Sequence, residues 1–209
     1  MEDPDVATSA FRLDPFLDQL RSRLSRLPVE HQFAFATSCC ERLYPWYAAL
    51  ASRMGSTDAA KLRTLLDELW GRVLTEPMTV DQLDQLVSRV REIDLGEEDG
   101  SDAWDGAVDA VGAVALTLEA WRAQPAENAA KAAGNVLNRV HQQLLTEMLG
   151  STYVVSAPEM AAISEGIAAH PATKRVQRCL LDLLEFLAER RRLTQADLQQ
   201  VRTLAQAGR

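Results

Sequence analysis

The chain has 209 residues, 47% hydrophobic and 25% charged, proportions that exclude a disordered or fibrous protein. Its 22 Lys and Arg face 30 Asp and Glu, and the resulting charge of −8 repels nucleic-acid phosphates and anionic lipid. Three unpaired-looking cysteines, Cys39, Cys40 and Cys179, and an acidic opening, MEDPDVATSA, point to a reducing compartment and away from a signal peptide. The longest apolar stretch, about Ala110 to Leu116, is far short of the roughly 20 residues that span a bilayer. The expected setting is the cytoplasm, with no nucleic-acid or membrane partner.

Residues 1–12 read as a flexible acidic lead. From Asp14 to about Arg26, Phe16, Leu17, Leu20 and Leu24 recur at helical spacing on one face. Pro28 opens a second helix whose stripes Phe33–Ala36–Cys40–Leu43–Tyr47 and Phe35–Cys39–Trp46 are both apolar. A helix apolar on two faces belongs in the centre of a bundle, and Pro45 inside it should kink or break it. Ser56, Thr57 and Asp58 can cap a third helix through Leu62, Leu66, Trp70 and Val73, ended by Pro77. Thr79 caps a fourth, carrying Leu83, Leu86, Val90 and Ile93.

After the acidic turn LGEEDGSD, Asp102 is expected to cap a fifth helix through Trp104 and Leu118. Pro125 separates it from a sixth, about Ala126 to Leu149, striped by Ala133, Val136, Leu137, Val140 and Leu144. Gly150 to Pro158 is the least helical segment, and Tyr153 to Val155 could serve a dimer contact. A helix from Glu159 stops at His170-Pro171, another runs from about Ala172 to Arg192, and Thr194 opens a last short one. Short connections throughout predict one all-α domain over residues 13–209, a compact bundle of about eight or nine helices.

No linear motif names a chemistry. His31 and Cys39 are two turns apart, beyond the reach of a nucleophile–base pair, and one-turn metal-ligand spacing is absent. His31 reads as an ordinary first-turn residue, His141 and His170 as surface or capping residues, and the cysteines as small core hydrophobes. The acidic stretch does not place oxygens at the alternate positions a calcium loop needs. No metal or cofactor is implied. Glu41, Arg42, Asp67 and Asp109 are the candidate polar cluster, since they sit on apolar helices. A buried Asp109 needs a partner, for which an arginine such as Arg42 is the expectation. Glu97, Glu98, Asp99, Asp102 and Asp105 form a candidate acidic surface for a basic partner.

The string Cys40-Glu41-Arg42, then Pro45 and Tyr47, resembles the opening segment of the YjaG-like bacterial family of unknown function. Leu66, Asp67 and Trp70 resemble that family's Leu-Asp-x-x-Trp helix, and Asp109-Ala110 and His170-Pro171 resemble further recurrent pairs. The likeness runs from about Leu24 to Ala207. It departs at Trp46, where relatives often carry asparagine, and near Val176, where they often carry glutamate. The resemblance implies an all-helical fold and a role in signalling, and it brings no biochemical activity. The expected function is that of a non-enzymatic regulatory or adaptor protein whose partner is another protein, a second copy of itself included. An immunity-type or antitoxin-like inhibitor is the alternative. An enzyme or small-ligand sensor built on the polar cluster comes third.

Overall fold

The computed structural model describes residues 14–75, 78–150 and 156–207, and among them the chain is helical with short connections. The helices are α1 (Asp14–Leu24), α2 (Val29–Met54), α3 (Asp58–Arg72), α4 (Val80–Arg91), α5 (Asp102–Arg122), α6 (Pro125–Leu149), α7 (Ala157–Ala169), α8 (Pro171–Ala188) and α9 (Gln195–Ala207). The expected all-α architecture is what forms. The acidic lead, Pro77 and the Tyr153 to Val155 segment lie outside the described residues.

The doubly apolar α2 takes the central place that its two stripes predict, packing against α3, α5, α6, α8 and α9. Phe35, Ala36, Cys39, Cys40, Leu43 and Tyr47 are all buried along it. Pro45 does not end the helix, which runs on to Met54. The proline costs one backbone hydrogen bond. Burial of Tyr47, Leu50 and Ala51 in the next two turns holds the helical path against that loss. Termination comes at Gly55, whose φ of +66° lets the Gly55 and Ser56 amides turn back onto the Ser52 and Ala51 carbonyls.

The connection from α4 to α5 is fixed from both sides. Tyr47 donates its hydroxyl to the Asp94 carbonyl at 2.8 Å, and the Asp94 amide donates to the Asp58 carboxylate at 2.9 Å. Burial pushes the Tyr47 phenol up to about 12, with Asp58 and Asp94 adding to the shift. Thr79 and Gln82 close the capping box of α4. At α5 the expected cap is corrected: Ser101, not Asp102, accepts from the Trp104 amide at 3.2 Å. Asp102 is already the first helical residue, which frees its carboxylate to reach α6.

Two further expectations change. Helix α8 stops at Ala188, four residues short of Arg192, and Arg190 folds back to donate to the Phe186 carbonyl at 2.6 Å and to Asp197 at 3.0 Å. A cation on the last carbonyls of a helix is favoured there. His31 is a first-turn residue but not an ordinary polar one: it is fully buried, and Nε2 donates to the Arg190 carbonyl at 3.1 Å. His170 does cap, its Nδ1 accepting from the Ala172 amide at 3.2 Å.

Gly106 lets α5 approach α2. A Cβ there would come within 2.8 Å of the Trp46 ring, so any side chain must push the indole away. Gly106→Ala is therefore expected to lose about 1–3 kcal/mol in urea unfolding through overpacking, and an unchanged midpoint would show that the indole has room to move.

Candidate functional site

Glu41 lies in the middle of α2 with its side chain 2% exposed. Arg63 of α3 grips it as a fork, Nη1 to Oε1 and Nη2 to Oε2, both at 2.9 Å. Trp70 Nε1 donates to Oε2 at 3.1 Å, and from α9 Gln206 Nε2 donates to Oε1 at 2.8 Å while Arg202 Nε stands 3.4 Å from Oε2. Burial by itself would raise the Glu41 pKa, but the Arg63, Gln206 and Trp70 donors outweigh it and hold the carboxyl below the usual range. Asp67 closes the ring, accepting from Arg63 at 3.1 Å and Arg202 at 2.7 Å. So Glu41 and Asp67 do come together, through two arginines the sequence reading had not singled out.

Asp109 is elsewhere. It is 9% exposed between α5 and α6, where Asn138 Nδ2 donates to its two oxygens at 3.1 and 3.2 Å. Burial pushes its carboxyl up to about 6, against the opposing pull of Asn138 and the Arg139 charge. Its burial matches expectation, but its partner is the Asn138 amide and not Arg42. The local sequence could not supply that pairing, because α6 reaches Asp109 only through the folding of α5 against α6.

Arg42 points to a third place. Its Nη1 lies 3.5 Å from the Ala205 carbonyl of α9, and its side chain lines a cavity of about 390 Å³. That cavity opens between α2, α6 and α8, and each helix contributes at one-turn spacing. Arg42, Leu43, Pro45 and Trp46 come from α2, and Val136, Arg139, Val140 and Gln143 from α6. Ala172, Arg175 and Val176 come from α8. Arg139 is 2% exposed and donates both Nη groups to Asp102, to its carbonyl and to Oδ1, each at 3.0 Å. Its Cζ sits 4.8 Å from the Trp46 ring centroid. Trp46 and Val176 both fall on this wall. A signal for Arg139 was present: Asn138 and Arg139 are polar residues set between Leu137 and Val140 of an apolar stripe.

The acidic surface divides. Glu97 and Glu98 are exposed. Asp99 binds Arg53 and accepts from the Ser101 amide at 2.9 Å, the Ser101 contacts doing most to hold its carboxyl low. Asp102 is committed to Arg139, and Asp105 is half-buried. The thiols of Cys39 and Cys40 are buried and their pKa values raised by desolvation, Cys40 to about 12. Among the described residues, no three side chains of metal-ligating type converge.

Two predictions test these environments. Glu41→Ala leaves the Trp70 and Gln206 donors facing no acceptor and Arg63 with Asp67 alone, and should cost about 3–5 kcal/mol in denaturant unfolding. A loss under about 1 kcal/mol would mean that the donors reach solvent instead. For Asp109 the raised folded pKa favours the protonated form. Its contribution to stability is therefore greatest below the unfolded Asp range and is lost as pH rises through about 6. The difference in stability between the wild type and Asp109→Asn should shift by an amount on the order of 1–3 kcal/mol between about pH 4 and 7, with the variant gaining at the upper end. A flat difference curve would refute the assignment.

No curated protein matches the chain. Among solved structures, the crystal structure of a DUF416 family protein from Shewanella baltica OS155, at 1.91 Å resolution, is similar with a TM-score of 0.71. The match covers 88% of this chain and 92% of that one at 22% identity, and so establishes a shared fold. The family model described as a protein of unknown function (DUF416) matches residues 19–209. With nearly the whole described helical array inside that match, the chain belongs to the DUF416 family.

Proposed function

We propose that this chain is a non-enzymatic regulatory or adaptor protein of the cytoplasm that works by binding another protein. The observation that carries the reading is that the side chains able to do acid–base or nucleophilic chemistry at its centre are already committed. Glu41 is saturated by donors from α3 and α9, and His31 is buried against a carbonyl. The Cys39 and Cys40 thiols are pushed away from the reactive thiolate by burial. A joint site at Glu41, Arg42, Asp67 and Asp109 would need a shared space, and Asp109 makes its contacts in a different helix pair from Glu41 and Asp67. Three free cysteines fit a reducing setting. The narrower kinship with YjaG-like proteins, read from Cys40-Glu41-Arg42, Pro45 and Tyr47, and a place in signalling belong to the same proposal.

One observation favours the inhibitor alternative. Glu97 and Glu98 stand exposed on a connection pinned by the Tyr47–Asp94, Asp58–Asp94 and Arg53–Asp99 contacts. Fixed, outward acids suit a basic partner, with fast and salt-sensitive association.

The test is affinity capture of the tagged full chain from its host cytoplasm at low and high salt, alongside Glu97→Lys/Glu98→Lys. A stoichiometric partner held by wild type and variant alike is the outcome expected of an adaptor. A partner lost both at high salt and in the variant selects the inhibitor. No enriched protein under either condition sinks both readings.

A further inference from the structure

The cavity between α2, α6 and α8 has a charge opposite to that of the protein around it. Acids outnumber bases by 30 to 22 in the chain, yet Arg42, Arg139 and Arg175 line this space and, among the described residues, no Asp or Glu does. One carboxylate, Asp102, reaches Arg139 from behind. Arg175 is exposed and has no ion pair among the described residues, and the Arg139 Nε, buried, has no hydrogen-bond partner among them. A cation beside an apolar wall gains from an anion placed against it, and Arg175 and the Arg139 Nε hold donors for one. Guanidinium forks match the paired oxygens of a carboxylate or phosphate. The remaining wall is hydrocarbon from Leu43, Pro45 and the valines of α6 and α8, with the Trp46 indole lying close over Gly106.

We infer that this cavity binds a small organic oxyanion, a carboxylate or phosphate monoester carried on an apolar body. Its volume of about 390 Å³ falls in the range of small-molecule sites. Arg175 and the Arg139 Nε engage the head group, and the hydrocarbon wall takes the body. A polyanion is a poor fit, because the net charge of −8 repels an extended chain of phosphates outside the cavity. This goes beyond the protein-binding proposal: a ligand here would touch α2, α6 and α8 at once, as an effector of a regulatory protein must.

The experiment is isothermal titration of the full chain with phenyl phosphate and with phenylacetate, using benzyl alcohol as the uncharged body and inorganic phosphate as the bare head group. Arg175→Glu removes one exposed wall arginine, and Arg178→Glu makes the same charge change on α8 outside this cavity. We expect saturable binding of at least one aromatic anion, weakened at least about tenfold by Arg175→Glu and within about twofold of wild type in Arg178→Glu. Preference for phenyl phosphate over phenylacetate, or the reverse, identifies the head group. Four results would overturn the site: no saturable binding of either aromatic anion, benzyl alcohol binding as tightly, inorganic phosphate binding as tightly, or equal loss in both variants. Since no partner protein enters the titration, its failure is distinct from a failed capture.

Discussion

Taking a carboxylate out of water costs several kcal/mol, and a bundle that does so at the midpoint of its central helix must arrange everything nearby to recover it. Glu41 sets that condition here. Its donors come from two helices that meet over it: Arg63 and Trp70 from α3, Gln206 and Arg202 from α9. Asp67 completes an alternating ring of two acids and two arginines, so neither guanidinium is left facing a single charge. Two helices far apart in the chain are thereby held to α2 at fixed register, because a forked pair tolerates little sliding.

The residue after Glu41 looks the other way. Successive positions on a helix are turned by about 100°, so Glu41 and Arg42 cannot serve the same neighbours. Glu41 binds the bundle together, while Arg42 lies against the end of α9 and on the wall of the arginine-lined cavity. The opposite wall is positioned by the α5 start, where Ser101 takes the capping role and releases Asp102 to hold Arg139. Gly106, one turn further on, lets Trp46 lie close against α5. Cohesion and cavity are thus separate consequences of one short stretch of α2.

Much of the fold was legible because helical periodicity is a local property. The two apolar stripes of α2 marked it as central, and Thr79 marked the start of α4. Boundaries shifted where tertiary contacts decided them, as at Pro45, where burial of Tyr47 and Leu50 carried the helix through. Polar residues on apolar faces were visible as anomalies, and Glu41 and Asp109 are indeed buried. Their partners were not visible. Gln206 stands 165 residues from Glu41, and no pattern within a helix specifies which distant helix will bring a donor. Arg139 had the same signature as Glu41, a polar residue in an apolar stripe, and belongs with it among residues that such a rule finds.

The latch between α9 and Glu41 also has a meaning in time. A ribosome makes the chain from the N-terminus, so α2 and α3 are complete long before Arg202 and Gln206 have been added. Until then the central carboxylate has Arg63 and Trp70 but not the α9 donors, and its face of α2 lacks the cover that α9 supplies. A nascent or prematurely terminated product ending before Gln195 accordingly exposes that face, and the central carboxylate is sealed only once α9 has followed α2 and α3 off the ribosome.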